Sequence, residues 1–123
     1  MSDLGFYHRI HGNALHDLVL TRAKRYVVLH GGKIKDSVGF KDKYHCPCEP
    51  DLLFEVFDKK RGKLLYVVEV ETNATKHSRQ TKWNQYKEST AGITDLIILD
   101  LGDLIAWKNW EAIDEFIRER MPI

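Results

Sequence analysis

The sequence predicts a mixed α/β fold in which a central sheet is flanked by helices. Apolar runs of strand length alternate with segments of helical spacing along the 123 residues. Their order is helix, three or four strands, helix, strand, helix, which is typical of a mixed sheet with helices packed on it. Residues 1–123 are expected to form a single domain, because a chain of this length buries one core and is too short for two.

The first half of the chain predicts one helix followed by strands. Apolar residues recur at helical spacing over residues 13–25, so the first helix is expected there. Residues 26–30 are predicted to form a short strand closed by two glycines, and another short strand is placed around residues 38–40. Residues 52–57 predict a buried strand, which a Lys-rich turn joins to an antiparallel partner at residues 64–71.

The second half adds two helices and one more strand. Residues 72–75 supply capping side chains for a helix that continues to about residue 89. Residues 93–101 predict a strand that is buried on both faces, and residues 109–120 predict an amphipathic helix. The first two turns of the helix at 75–89 contain no large apolar residue, so they are either a solvent-exposed helix end or a source of polar side chains for a phosphate.

Three carboxylates lie at strand ends where the surrounding pattern predicts core. Asp51 precedes the strand at 52–57, and Glu69 and Glu71 end its partner. Side chains alternate along a strand, so Glu69 and Glu71 share a face with Val67 and stand about 7 Å apart. Like charges on a half-buried strand are costly to desolvate unless a cation or protons compensate them. This pattern favours a divalent metal.

The expected register brings two of these carboxylates together. Counted from a turn centred near Lys60-Arg61, Asp51 and Glu69 are close to opposite each other. Mg²⁺ and Mn²⁺ prefer oxygen ligands, so Asp51 and Glu69 are candidate ligands of one ion. Such an ion would polarise a phosphodiester and lower the pKa of a bound water. Taken singly, an Asp after Pro is usually a turn or strand-edge residue, and a Glu on a strand is usually solvated. Together, flanked by apolar strands, they favour a site.

The chain resembles the PD-(D/E)XK nuclease superfamily in one series of motifs. These are Pro50-Asp51, then a hairpin, then Glu69-Val70-Glu71 before a polar helix. The resemblance covers nearly the whole chain. It implies a restriction-endonuclease-like α-β-β-β-α-β-α core and the metal-dependent hydrolysis of DNA. The segment Gly12-Asn13-Ala14-Leu15-His16 resembles the GxxxH element of the RecB-like branch, although an ordinary helix histidine is an equal alternative.

The resemblance also implies a set of site residues. His16, Asp51, Glu69 and the carbonyl group of Val70 would bind Mg²⁺ or Mn²⁺, with Asp17 as the alternative to His16 if the first helix is rotated. Gln80 is similar to the polar residue that this branch places on the helix after the motif.

The third motif position departs from the family, which normally has Lys where this chain has Glu71. Some restriction endonucleases of the superfamily carry Glu there. In that case Glu71 would bind a second metal or act as a general base through a metal-bound water. Lys76 or Lys82, on the following helix, would then supply the missing positive charge.

The charge distribution favours nucleic acid as the partner. The net charge is only +1, but Lys and Arg concentrate in residues 22–43 and 76–87, whereas acidic residues collect in the last helix. Such segregation allows a basic surface on a nearly neutral molecule. Structure- or end-selective cleavage of DNA fits so small a core better than base-specific recognition. The candidate phosphate contacts are Lys33, Lys35, Lys76, Arg79, Lys82 and Lys87.

Several other interpretations follow from particular residues. Glu71 in place of Lys is also compatible with a nuclease-fold DNA-binding or scaffold protein that has lost catalysis. His45-Cys46-Pro47-Cys48 has the residue types of a zinc site, but without a second Cys pair a loop beside the active site is favoured over a zinc-stabilised interaction module. Resemblance to small junction resolvases allows a homodimer, with Trp107 and Trp110 either in its interface or buried in the monomer.

The apolar runs of the chain are short. None approaches the ~20 residues of a membrane span, and residues 1–10 lack the apolar core of a secretory signal. The expected location is therefore the cytoplasm of the cell or of a host cell, with no membrane partner.

Overall fold

The computed structural model describes residues 3–36, 41, 50–72, 74–87, 92–104 and 109–123, with side chains from residue 14 onward. Within this part of the chain, no helix has both the length and the apolar character needed to cross a membrane. The elements are α1 (Asp3–Leu29), β1 (Lys33–Ile34), β2 (Leu52–Asp58), β3 (Gly62–Glu71), α2 (Lys76–Lys87), β4 (Asp95–Asp100), a short 3-10 helix (Leu101–Asp103) and α3 (Trp110–Arg120).

The central sheet has four strands in the order β1-β2-β3-β4. The β1–β2 and β2–β3 pairs are antiparallel, whereas the β3–β4 pair is parallel. α2 forms the crossover that this parallel pair requires. The carboxylate of Asp58 closes the β2–β3 turn by accepting the N–H groups of Lys60 and Arg61, both at 2.8 Å. The predicted mixed sheet flanked by helices is confirmed.

The sheet separates two apolar layers. One face packs against α1 and α3, where Phe54, Val68 and Leu99 meet Leu15 and Ile117 in the main core. The other face carries a smaller cluster of Leu53, Val67 and Tyr86, with Tyr86 contributed by α2. The strands alternate between these two layers, as their period of two predicts. The α2 face is therefore the one that Glu69 and Glu71 share.

α1 is longer than predicted, and the expected strand at residues 26–30 is wrong. Val27 is fully buried and continues the stripe of Val19 and Ala23 at four-residue intervals, so burial against the core keeps this segment helical. The β-branched Val27 and Val28 favour a strand by local preference, but packing of Val27 against the core outweighs that preference. The helix is followed by Gly31, whose φ of 84° is the left-handed conformation that glycine adopts without strain.

The other elements agree with the sequence to within a few residues. β2, β3 and β4 lie within or close to their predicted ranges, and α3 begins after Asn109, whose carboxamide oxygen accepts the N–H of Glu111 at 2.9 Å. The two-residue strand β1 was not predicted. The predicted strand around residues 38–40 and the segment His45–Cys48 lie outside the described residues.

Candidate active site

Asp51 and Glu69 lie together at one end of the β2–β3 pair. The ladder pairs Leu52 with Val68, so Asp51 and Glu69 take the next opposed positions, as the predicted register requires. The Oδ2 atom of Asp51 accepts the N–H of Val70 at 2.8 Å, which fixes this carboxylate against β3. A turn and a strand end that are 18 positions apart in the chain thus contribute adjacent acidic groups.

His16 on α1 reaches the same carboxylate. Its Nε2 atom lies 3.2 Å from Oδ2 of Asp51, and its Nδ1 atom lies 3.3 Å from Oδ1 of the exposed Asp17. Adjacent ligands at about 2.1 Å from an octahedral metal would stand roughly 3 Å apart. The separation between His16 and Asp51 is close to that value, so the two atoms are placed as neighbouring ligands would be.

Glu69 is a buried carboxyl group with an altered affinity for protons. Only 5% of the residue is exposed, and its Oε1 atom accepts a hydrogen bond from the Tyr86 hydroxyl. Burial raises the pKa of Glu69 to about 7; the Tyr86 bond and the charge of Lys82 oppose this rise, and the Asp51 carboxylate adds to it. A group that titrates near neutrality in a polar cluster is typical of a functional site.

Lys82 on α2 brings a positive charge to the two glutamates of β3. Its Nζ atom lies 2.6 Å from Oε1 of Glu71 and 3.7 Å from Oε2 of Glu69. Burial alone would lower the pKa of Lys82, but the bond to Glu71 and the attraction of the nearby carboxylates outweigh it and raise the pKa. The lysine is therefore charged. Of the two cations that the sequence offered for this role, Lys82 is the one that contacts the carboxylates.

Asp100 is a further carboxylate at this edge, and the sequence pattern did not single it out. Parallel pairing places Asp100 opposite Glu71, and only 7% of Asp100 is exposed. Its carboxylate accepts the N–H groups of Ala74 at 3.1 Å and Gly102 at 2.9 Å, and lies 3.6 Å from Arg79. The sequence did contain a signal for this position, because Asp100 ends an apolar strand. If that strand is parallel to β3, its last residue lies beside Glu71.

A pocket of about 530 Å³ lies between α2 and β4. Its helical side is formed by Lys76, Arg79, Gln80 and Trp83. The predicted site residues Lys76 and Gln80 therefore line this pocket, whereas Lys82 contacts the carboxylates. Gln80 donates to the carboxamide oxygen of Asn84 at 3.0 Å. The strand side of the pocket is formed by Asp95, Leu96 and Ile98.

The predicted phosphate contacts fall into two groups. Lys33 and Lys35 lie on or next to β1, at one edge of the sheet, whereas the other cations belong to α2 on the side of β4. Lys33 and Lys87 are exposed, and Lys35 is half-buried. Trp110, at the start of α3, is 56% exposed and lies under the Arg22 guanidinium, 5.0 Å from the ring centre, so it is not a buried core residue of the monomer. Trp107 lies outside the described residues.

The donor set suits a hard divalent cation in its chemistry. His16, Asp51, Glu69 and the Val70 carbonyl provide the nitrogen and oxygen ligands that Mg²⁺ and Mn²⁺ accept. Within the residues that the structure describes, no three His, Cys, Asp or Glu side chains form a ready-made metal cage. Comparisons of the chain with protein-family models, curated proteins and solved structures find no match.

Proposed function

We propose that the protein is a metal-dependent nuclease of the PD-(D/E)XK type, with a restriction-endonuclease-like core, that hydrolyses DNA phosphodiester bonds in a structure- or end-selective manner. The convergence of His16, Asp51, Glu69 and Lys82 at one end of the sheet carries this proposal. Burying acidic groups costs stability unless they are paired or bind a cation. A functional requirement explains why four separate segments bring such groups together.

The residues of the site have separate roles in this proposal. His16, Asp51, Glu69 and the Val70 carbonyl would hold Mg²⁺ or Mn²⁺. When bound, this ion supplies Lewis-acid polarisation of the phosphodiester and a lowered pKa for an attacking water. Lys82 stabilises the negative charge that develops on the phosphate. Glu71 positions Lys82 through their 2.6 Å ion pair.

In this proposal the DNA backbone would follow the basic residues of α2 and of the β1 segment. Lys76, Arg79 and Lys87 lie along α2, with Lys76 and Arg79 in the lining of the pocket between α2 and β4, and their charges suit contacts to phosphates. Lys33 and Lys35 would contact the backbone at the other edge of the sheet. A homodimer would allow two such sites to cut two strands, and Trp110 is a candidate contact because it is exposed.

Cleavage assays test this function. Purified protein is incubated with Mg²⁺ or Mn²⁺ and with linear, single-stranded, flapped or four-way-junction DNA. Wild-type protein is expected to cleave at least one of these substrates, whereas Asp51→Asn and Glu69→Gln are inactive. Lys59→Met serves as the control because Lys59 is exposed in the β2–β3 turn, far along the sheet from the site. Thermal unfolding confirms that each variant is folded.

An inactive DNA-binding or scaffold protein is the second candidate, and Glu71 in place of Lys is the observation that favours it. It predicts DNA binding without cleavage of any of these substrates at any Mg²⁺ or Mn²⁺ concentration. The position of Lys82 favours the active enzyme, because an ammonium group is present beside Glu69 after all. Absence of both binding and cleavage would overturn both candidates.

A further inference from the structure

We propose that the pocket between α2 and β4 binds an unpaired nucleobase together with its 5′-phosphate. The place of this step in cleavage rests on the proposed nuclease function, but nucleotide binding itself does not. The pocket is separate from the carboxylate cluster, and none of the metal-ligand candidates lines its described part.

Six of the seven described lining residues match the parts of a nucleotide, and the seventh, Asp95, adds an exposed carboxylate. Trp83 offers an aromatic face for stacking, and Leu96 and Ile98 provide an apolar floor. Gln80 carries both a donor and an acceptor for the edge of a base, and Lys76 and Arg79 supply charge for a phosphate. The volume of about 530 Å³ lies within the roughly 300–1,000 Å³ of small-molecule sites.

The helix separates this surface from the catalytic one. Lys76, Gln80 and Trp83 follow the spacing i, i+4, i+7, so they lie on one face of α2. Lys82 and Tyr86 are also four residues apart, and they face Glu69. Tyr86 is buried, whereas Trp83 is only half-buried and lines the pocket.

The pocket adjoins the candidate active site. Ile98 on its floor is the register partner of Glu69 on β3, and neighbouring strands lie about 4.8 Å apart. Arg79 lines the pocket and also lies 3.6 Å from Asp100, which is the partner of Glu71. A nucleotide bound here would therefore place the adjacent phosphodiester towards Glu69 and Lys82.

The pocket would also select the form of the DNA. A base that is stacked inside a duplex cannot reach a pocket between a helix and a sheet, so the nucleotide must be at an end, in a flap or turned out of the helix. Stacking on tryptophan tolerates every base. We therefore expect structure selectivity with little sequence preference.

Nucleotide binding in the absence of metal tests this inference. Calorimetric titration of the protein with dAMP in EDTA is expected to show binding, whereas ribose 5-phosphate and inorganic phosphate bind at least tenfold more weakly because they lack a base. Gln80→Leu and Trp83→Leu are each expected to weaken dAMP binding roughly tenfold or more. Gln80 is exposed, so its variant keeps the test decisive if Trp83→Leu does not fold.

Three outcomes separate the two proposals. Equal affinity for dAMP and ribose 5-phosphate, or unchanged dAMP binding in Gln80→Leu and a folded Trp83→Leu, would overturn the nucleotide pocket. If the wild-type protein cleaves DNA but does not bind dAMP, the pocket fails and the nuclease stands. If wild-type and Asp51→Asn proteins bind dAMP equally and wild type cleaves nothing, the nuclease fails and the pocket stands.

Discussion

Lys82 and Glu71 form a 2.6 Å ion pair that joins α2 to the last residue of β3. The Lys82 side chain is one-third exposed and that of Glu71 is half as exposed, so the pair is partly shielded from solvent. Removing one partner would leave the other partly buried without compensation. The pair therefore holds an ammonium group close to Glu69 at a defined position.

Replacing Lys82 tests its role in the proposed reaction. Lys82→Met is expected to lower kcat on the preferred DNA substrate by roughly 10²–10³-fold, the usual effect of losing one charge-stabilising group. The exchange Glu71→Lys with Lys82→Glu is expected to recover much of this rate, because the ammonium group returns to the same carboxylates from the strand side. Full activity of Lys82→Met, with Lys59→Met as the comparison, would remove Lys82 from the mechanism.

Glu69 makes stability depend on pH. Its pKa is about 7 in the folded protein against an ordinary value of 4.5. The folded state holds this proton more tightly, so stability is expected to fall as the pH rises through this interval, by at most roughly 3 kcal/mol. Glu69→Gln is expected to match wild type near pH 4 and to exceed it at about pH 8 in urea unfolding with EDTA. If the difference in free energy of unfolding between Glu69→Gln and wild type did not change with pH, the raised pKa of Glu69 would be contradicted.

Tyr86 restrains this same carboxyl group. The Tyr86 hydrogen bond lowers the pKa of Glu69, so Tyr86→Phe is expected to move the acidic limb of the pH–rate profile to higher pH. It is also expected to reduce the free energy of unfolding by about 1–2 kcal/mol. Tyr66→Phe, in the core on the other face of the sheet, is the matched control. If the acidic limb of the pH–rate profile does not move in Tyr86→Phe, the Tyr86 hydrogen bond does not control the protonation of Glu69 during the reaction.

Metal binding can be measured without catalysis. Mn²⁺ is expected to raise the Tm of the wild-type protein, because a ligand at 100 times its Kd stabilises the folded state by about 2.7 kcal/mol. The shift should be lost in Asp51→Asn and reduced in His16→Ala. Glu111→Gln removes one exposed acidic charge on α3 and should keep the shift. A full shift in His16→Ala would show that His16 is not a ligand.

The contact between α1 and α3 allows a test that is independent of function. Arg22 binds the Asp114 carboxylate through Nε at 2.8 Å and through a second guanidinium nitrogen. A double-mutant cycle with Arg22→Met and Asp114→Asn is expected to give a coupling of up to about 1 kcal/mol. The Arg22 hydrogen bond lowers the pKa of Asp114, so this coupling should be present at neutral pH and disappear as the pH falls below 3.8. A coupling energy of zero at neutral pH would show that the Arg22–Asp114 ion pair does not stabilise the protein.

The pairing of Asp51 with Glu69 was predictable because it depends on local rules. A short turn and a period of two determine the register of a hairpin, and the turn residues were evident in the sequence. The prediction placed the turn near Lys60-Arg61, and the observed ladder is centred there. The last helix was likewise predicted to begin at residue 109, which is the N-cap of α3 in the structure.

The features that sequence reasoning missed depend on packing between distant segments. Choosing Lys82 over Lys76 requires the rotation of α2 relative to the sheet, which few apolar residues specify. Asp100 joins the site only through the parallel alignment of β4 with β3. β1 consists of two residues that pair with β2, so no local pattern marks it.

In the proposed nuclease, the cation of the active site comes from α2 and not from β3. A sequence motif for such a site would have to include the helix as well as the strand. The ammonium group and the carboxylates meet in space although they come from different elements. In the proposed nuclease, position 71 of β3 would therefore not need to carry a lysine, because the helix provides the ammonium group. A signature that fixes all motif residues within one strand would overlook chains of this kind, whereas one that counts charge jointly over strand and following helix would include them.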